Sequence, residues 1–122
     1  MAKKIIAVRG ATTVENNTID QIASKSVELI KAIIKENAVK SHDIISITIS
    51  STADITALYP AKAIRESGLL DDTPLFSCLE PPIDGALPLC IRVMLMCESE
   101  SEAKHIYLHN AKILRPDIAN KN

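Results

Sequence analysis

The fold turns on the stretch Cys90-Ile91-Arg92-Val93-Met94-Leu95-Met96-Cys97-Glu98. Its length is that of a strand, and between its ends only Arg92 is charged. So continuous an apolar run predicts a central strand buried on both faces. Alternation along such a strand places Arg92 on the same face as Cys90, Met94 and Met96. A guanidinium is always charged, and burying one is costly unless it has a partner. The run therefore predicts both a sheet built around it and an acidic group or a bound anion facing Arg92.

The neighbouring segments supply the rest of the sheet. Leu75 to Glu80 reads as a strand stopped by Pro81-Pro82, with a turn at Asp84-Gly85 and Pro88 limiting regular structure before Cys90. Pro60 suits the first position of a helix carrying Ala61, Lys62, Ala63, Ile64 and Arg65, with Gly68 as its stop. Asp71 to Pro74 is a loop. Ile44 to Ser51, rich in Ile, Thr and Ser, reads as a strand, and Ser41-His42-Asp43 as a turn or single helical turn. Thr18 and Gln21 have capping-box spacing, so a helix starts at Ile19. Ile22, Val27, Ile30, Ile33 and Ile34 carry it to about Ala38. Lys4 to Val8 is a first strand ending at Arg9-Gly10, and Ala11 to Asn17 is turn-like. Downstream, Ser99 to Lys104 is a polar connector. His105 to Leu108 and Ala111 to Leu114 are strand-like, broken at His109-Asn110. Residues 116–122 read as a flexible tail.

The order β-α-β-α-β-β-β predicts one α/β domain over residues 1–122, a mixed sheet of about five strands with two helices on one face. A chain of 122 residues is the size of one domain of roughly 100–150 residues. The chain is 47% hydrophobic, yet its aromatics are only Tyr59, Phe76 and Tyr107, so the core is aliphatic. So few aromatics hardly supply a stacking platform for single-stranded nucleic acid, and a formal net charge of −1 advertises no basic surface for DNA or RNA. No stretch approaches the roughly 20 apolar residues of a membrane span, and the N-terminus lacks a signal-peptide core. Cys78, Cys90 and Cys97, odd in number and in apolar contexts, read as reduced thiols packed as small hydrophobes in a cytoplasmic protein. There is no Cys-x-x-Cys, and His42, His105 and His109 are scattered, so no metal site is expected.

Lysine dots the surface helix at Lys25, Lys31 and Lys35, whereas each arginine adjoins an apolar run. Arg92 reads as an ion pair, with Glu80 the nearest acidic choice, as an interface arginine, or as an anion ligand. Arg9, at a strand end, reads as a surface contact or a ligand. Lys62 and Arg65, three apart, share one helix face, either solvated or anion-binding. Arg115 before Pro116 reads as a surface charge. Met94 and Met96 read as core. No nucleophile-and-base pair and no Gly-x-Ser-x-Gly elbow is present.

Four segments carry a resemblance. Val8-Arg9-Gly10-Ala11-Thr12-Thr13-Val14-Glu15, Tyr59-Pro60-Ala61-Lys62-Ala63-Ile64-Arg65-Glu66, Cys90-Ile91-Arg92-Val93-Met94, and Ile106-Tyr107-Leu108 with Leu114-Arg115-Pro116-Asp117 together resemble the monofunctional chorismate mutases of the trimeric α/β class. The resemblance covers nearly the whole chain. It implies a homotrimer forming a pseudo-α/β-barrel with active sites between subunits. It implies conversion of chorismate to prephenate without metal or cofactor. By resemblance Arg92 stabilises the charge on the breaking ether oxygen. Arg9 and Tyr107 bind a substrate carboxylate, and Glu80 accepts the ring hydroxyl. Tyr59, Ala61, Leu75 and Phe76 line the pocket, and Lys62, Arg65, Leu114 and Arg115 lie at its rim and closing tail. Ser77 stands where the family's best-known form has Cys, and its hydroxyl keeps a hydrogen bond. Strict alternation sets Ser77 and Glu80 on opposite strand faces, so the strand must bend or end near Leu79 if both meet substrate. Two other readings are a trimeric enamine/imine deaminase, opposed by the Arg9–Glu15 string and the tail arginine, and a non-catalytic module that binds a small dicarboxylate.

Overall fold

The computed structural model describes residues 2–119. Five strands form one mixed sheet: β1 (Lys4–Thr13), β2 (Ile44–Ser51), β3 (Leu75–Leu79), β4 (Cys90–Ser99) and β5 (Ile106–Tyr107). Their order is β3-β2-β4-β1-β5. The run that opened the sequence is the middle strand, antiparallel to β1 and β2. β3 is parallel to β2, and β5 parallel to β1.

Helix α1 (Ile19–Glu36) starts where Thr18 Oγ1 accepts the Gln21 N–H at 3.2 Å. The Gln21 side chain accepts the Glu15 N–H instead of closing a reciprocal box. Asn37 ends the helix. Its amide donates to Ile33 O and Lys104 O, and its oxygen accepts the Lys104 N–H at 2.7 Å. The connector into β5 is thereby clamped to the end of α1. Helix α2 (Pro60–Glu66) begins with Pro60, whose missing N–H is not needed in a first turn.

Both helices cover one face of the sheet. Ile22, Leu29, Ile30 and Ile33 of α1 and Ile64 of α2 pack with Val8, Ile47, Ile49, Ile91, Val93 and Leu95 in one buried cluster. No aromatic side chain enters that cluster among the described residues, as the composition predicts. Gly10 lies where β1 meets α1. A Cβ there would sit 2.7 Å from Ile33 Cδ1 and 3.2 Å from Leu29 Cδ1, so the helix seats close to the strand only because the side chain is missing.

The structure corrects several expectations. β4 is not buried on both faces. Ile91, Val93, Leu95 and Cys97 are buried, whereas Arg92 is exposed and Met94 and Met96 are 43% and 37% exposed. The helices cover only one face, and methionine reads as apolar whether or not its own chain covers it. Cys78 is exposed on edge strand β3, while Cys90 and Cys97 are buried as expected. β1 continues past Gly10 to Thr13, because Thr12 and Thr13 pair with Ile91 and Cys90. Ala111 to Leu114 is not a strand: His109–Leu114 is a 3-10 helix. Its Ala111 and Leu114, three apart, pack with Ala11 and Tyr107 on the open face. Pro116–Ala119 forms a single helical turn, α3, and residues 120–122 of the tail lie outside the described residues. Among the described residues no helix is long and apolar enough to cross a membrane.

Candidate active site

Register lays two rows of side chains across the open face. One runs Cys78, Ser50, Arg92, Ala11, Tyr107; the other runs Phe76, Thr48, Met94, Arg9. A cleft of about 290 Å³ straddles them, lined by Arg9, Thr48, Ser50, Arg92, Tyr107 and Arg115 with Gly10, Val93 and Met94. Glu80 joins it from just beyond β3. Its N–H still bonds Ser51 O at 2.9 Å, so the pairing outlasts the strand by one residue. Its Oε1 accepts the Ser50 hydroxyl at 2.5 Å and lies 3.8 Å from an Arg92 terminal nitrogen. The ion-pair reading of Arg92 is thus met, but loosely. A charge-assisted N–H···O bond runs about 2.7–2.9 Å, and Arg92 keeps 45% of its side chain exposed against 20% for Glu80.

Three guanidiniums against two carboxylates, Glu80 and Asp117, leave this cleft net positive. Arg115 reaches it from beyond the 3-10 helix, held at 3.1 and 2.9 Å by both oxygens of Asp117. That pairing pushes the Arg115 pKa up and the Asp117 carboxyl down. Tyr107 is buried between Ala11 and Ala111. Leu114 packs partly buried against the same cluster. At the start of β4 the Cys90 thiol is pushed up to about 11, chiefly by burial, and is therefore not a thiolate nucleophile.

A second cleft, of about 640 Å³, lies between the β2–β3 edge and the entry to α2. Tyr59, Lys62, Ser77, Ile49, Ile55 and Leu58 are among its lining residues. Tyr59 is 72% exposed. Lys62 lies 3.9 Å from Glu66. Ala61 is buried in the first turn of α2, and Arg65 is exposed one turn beyond Lys62. Leu75 is partly buried against the core, and Phe76 is exposed at the sheet edge. The residues singled out from sequence therefore divide. Arg9, Glu80, Arg92, Tyr107, Leu114 and Arg115 gather on the open face, while Tyr59, Lys62 and Ser77 gather at the other cleft. Ser77 pairs beside Ile49, and Glu80 follows the end of the strand, so alternation and strand end together keep these two apart in one chain. Sequence reasoning missed Ser50, Thr48 and His105. The first two follow from alternation along Ile44–Ser51, which puts small hydroxyls opposite Arg92 and Met94.

Residues 5–118 match the family model described as chorismate mutase type I. The chain belongs to this family. Among curated type I relatives, the chorismate mutase AroH of Bacillus subtilis (strain 168) is 37% identical over 118 residues, covering 94% of this chain and 93% of the relative. The chorismate mutase AroH of Thermus thermophilus is 34% identical over 115 residues, covering 91% and 93%. A solved chorismate mutase structure from Clostridium thermocellum superposes with a TM-score of 0.83 at 39% identity, over 88% of this chain and 97% of that one. The enzyme is accordingly a chorismate mutase, an isomerase, and its substrate is chorismate. A deaminase or a non-catalytic module is not favoured.

Proposed function

We propose that this chorismate mutase converts chorismate to prephenate in the open-face cleft by orientation and electrostatics alone. The observation that carries this reading is the loose Arg92–Glu80 pair, 3.8 Å apart, in a cleft shared with Arg9, Tyr107 and Arg115. The substrate is a dicarboxylate, and its Claisen rearrangement transfers no proton and needs no nucleophile, metal or cofactor. Its demands are that the enolpyruvyl side chain be held over the ring and that negative charge on the breaking ether oxygen be met. Arg92 meets that charge. Being fixed in a central strand, it stabilises the transition state more than the substrate. Arg9 and Tyr107 bind a carboxylate, and Glu80, steadied by Ser50, accepts the ring hydroxyl. Leu114 and Arg115 close the rim.

Tyr59, Ala61, Lys62, Arg65, Leu75, Phe76 and Ser77 complete the pocket from a neighbouring subunit of a homotrimer. Support comes from the division of the site: each chain carries two clefts with complementary residues, and Met94, Met96, Tyr59 and Phe76 stand exposed between and around them. In a pseudo-α/β-barrel the second cleft of one subunit faces the first cleft of the next. We also place the enzyme in the cytoplasm, where Cys78 and the buried thiols stay reduced, and take residues 1–122 as one catalytic domain.

The test is loss of chorismate absorbance with acid-dependent formation of phenylpyruvate, on wild type and Arg92→Ala. Turnover by wild type and its collapse in the variant are expected. An inactive wild type, or a variant as fast as wild type, overturns the mechanism. Sedimentation of a stable, fully active monomer overturns the shared site.

A further inference from the structure

The Arg9 row of the sheet ends on a side chain rather than on a strand. β5 pairs with β1 only at Gly10–Ile106 and Ala11–Tyr107. One step further, where the backbone ladder has stopped, the Arg9 N–H donates to His105 Nδ1 at 2.9 Å. A partly buried N–H needs an acceptor, and here the imidazole takes the place of the missing strand carbonyl. The backbone leading into His105 is itself held, because Asn37 bonds the Lys104 N–H and carbonyl. The path thus runs from the end of α1, through Lys104 and His105, to the backbone of Arg9.

We propose that His105 is a positioning residue for Arg9, and that it acts only as neutral imidazole with the proton on Nε2. It rests on the reading of Arg9 as a substrate carboxylate ligand. Protonation would place an N–H at Nδ1 against the Arg9 N–H, two donors face to face, and the bond would be lost. Burial, the largest cause, and, among the described residues, the cations Arg9 on β1 and Arg115 beyond the 3-10 helix lower the His105 pKa and favour the neutral form. Arg9 is held for a substrate carboxylate only while the ring is neutral. Substrate binding and loss of the His105 proton are therefore linked, and KM rises as the ring protonates. Acid acts on affinity rather than on the chemical step, which Arg92 governs from another strand.

The experiment measures kcat and KM from pH 5 to 8 for wild type, His105→Ala, His105→Asn and Arg9→Ala, with thermal unfolding of each. His105→Ala should raise KM about five- to tenfold at neutral pH, the scale of one lost hydrogen bond, with kcat changed by less than about twofold. His105→Asn offers an amide oxygen that does not titrate. It should restore much of the affinity and remove the acid rise in KM expected of wild type. Arg9→Ala should raise KM in any case. If Arg9→Ala leaves KM unchanged, the reading of Arg9 falls. If Arg9→Ala raises KM but folded His105→Ala lowers kcat and KM alike, or His105→Asn keeps the wild-type acid limb, the role of His105 alone falls. Should His105→Ala fail to fold, His105→Asn decides by its pH profile.

Discussion

The two clefts of this chain are built in different ways. The open-face cleft sits on ladders: Arg9, Arg92 and Tyr107 project from strands whose registers are fixed on one or both sides. The cleft beside α2 is made largely of loop and first-turn residues, and Tyr59 and Lys62 are well exposed. The difference matches the tasks assigned to them. A cation that meets transition-state charge gains from being held still before the reaction, whereas residues that admit and seat a substrate tolerate movement.

The sharpest way to break this contrast is at Arg92. Arg92→Ala should cost roughly 3–4 kcal/mol of transition-state stabilisation or more, on the scale of a lost oxyanion donor, measured as a fall in kcat. Arg92→Lys should recover little, because a point charge does not reproduce a planar fork. Next comes the proposed division of the site between subunits. A Lys62→Glu/Arg65→Glu variant and Arg92→Ala, each nearly inactive alone, should regain activity when unfolded and refolded together. No recovery in mixed trimers would show that one chain supplies the whole pocket. Smaller is the effect of Gly10→Ala, which should lower stability by about 1–3 kcal/mol through overpacking against Ile33, seen as a lower urea midpoint. If the ladder cleft depends on the seating of β1, kcat should suffer with it.

The smallest effect is acid stability. The folded pKa of His105 lies below its ordinary 6.5, so between the two values the unfolded chain binds the proton more readily. The stabilisation is full above about pH 6.5 and is lost as pH falls through the folded value. His105→Asn should flatten this decline in a pH series of thermal melts, and an unchanged slope would assign it elsewhere.

Much of the ladder was legible in the sequence. The apolar run around Arg92 placed the central strand, and Pro60 and Thr18 placed the helix starts within a residue. Two of the misreadings share a cause, which is that short segments do not declare their period. Ala111 and Leu114 suit a strand or a 3-10 turn equally until Ala11 and Tyr107 are seen beneath them. Thr12 and Thr13 look turn-like until β4 is known to need partners there. The site was legible mainly through its arginines, whose placement beside apolar runs is unusual. The division into two clefts was not, because periodicity within one strand says nothing of which surface lies opposite. His105 escaped notice because its role depends on where β5 stops pairing.

The alternation of β4 also bears on what mutations the gene can accept. Arg92 stands between Ile91 and Val93, and all three are fixed against β1 and β2. One codon inserted between Leu89 and Ile91 would turn the guanidinium into the aliphatic core and isoleucine out to the open face, reversing the whole strand at once. The segments on either side, 81–88 and 100–102, end no ladder and can drift in length. The family's freedom to lengthen and shorten should therefore collect in those loops, while the span across Arg92 keeps its residue count even where its residues change.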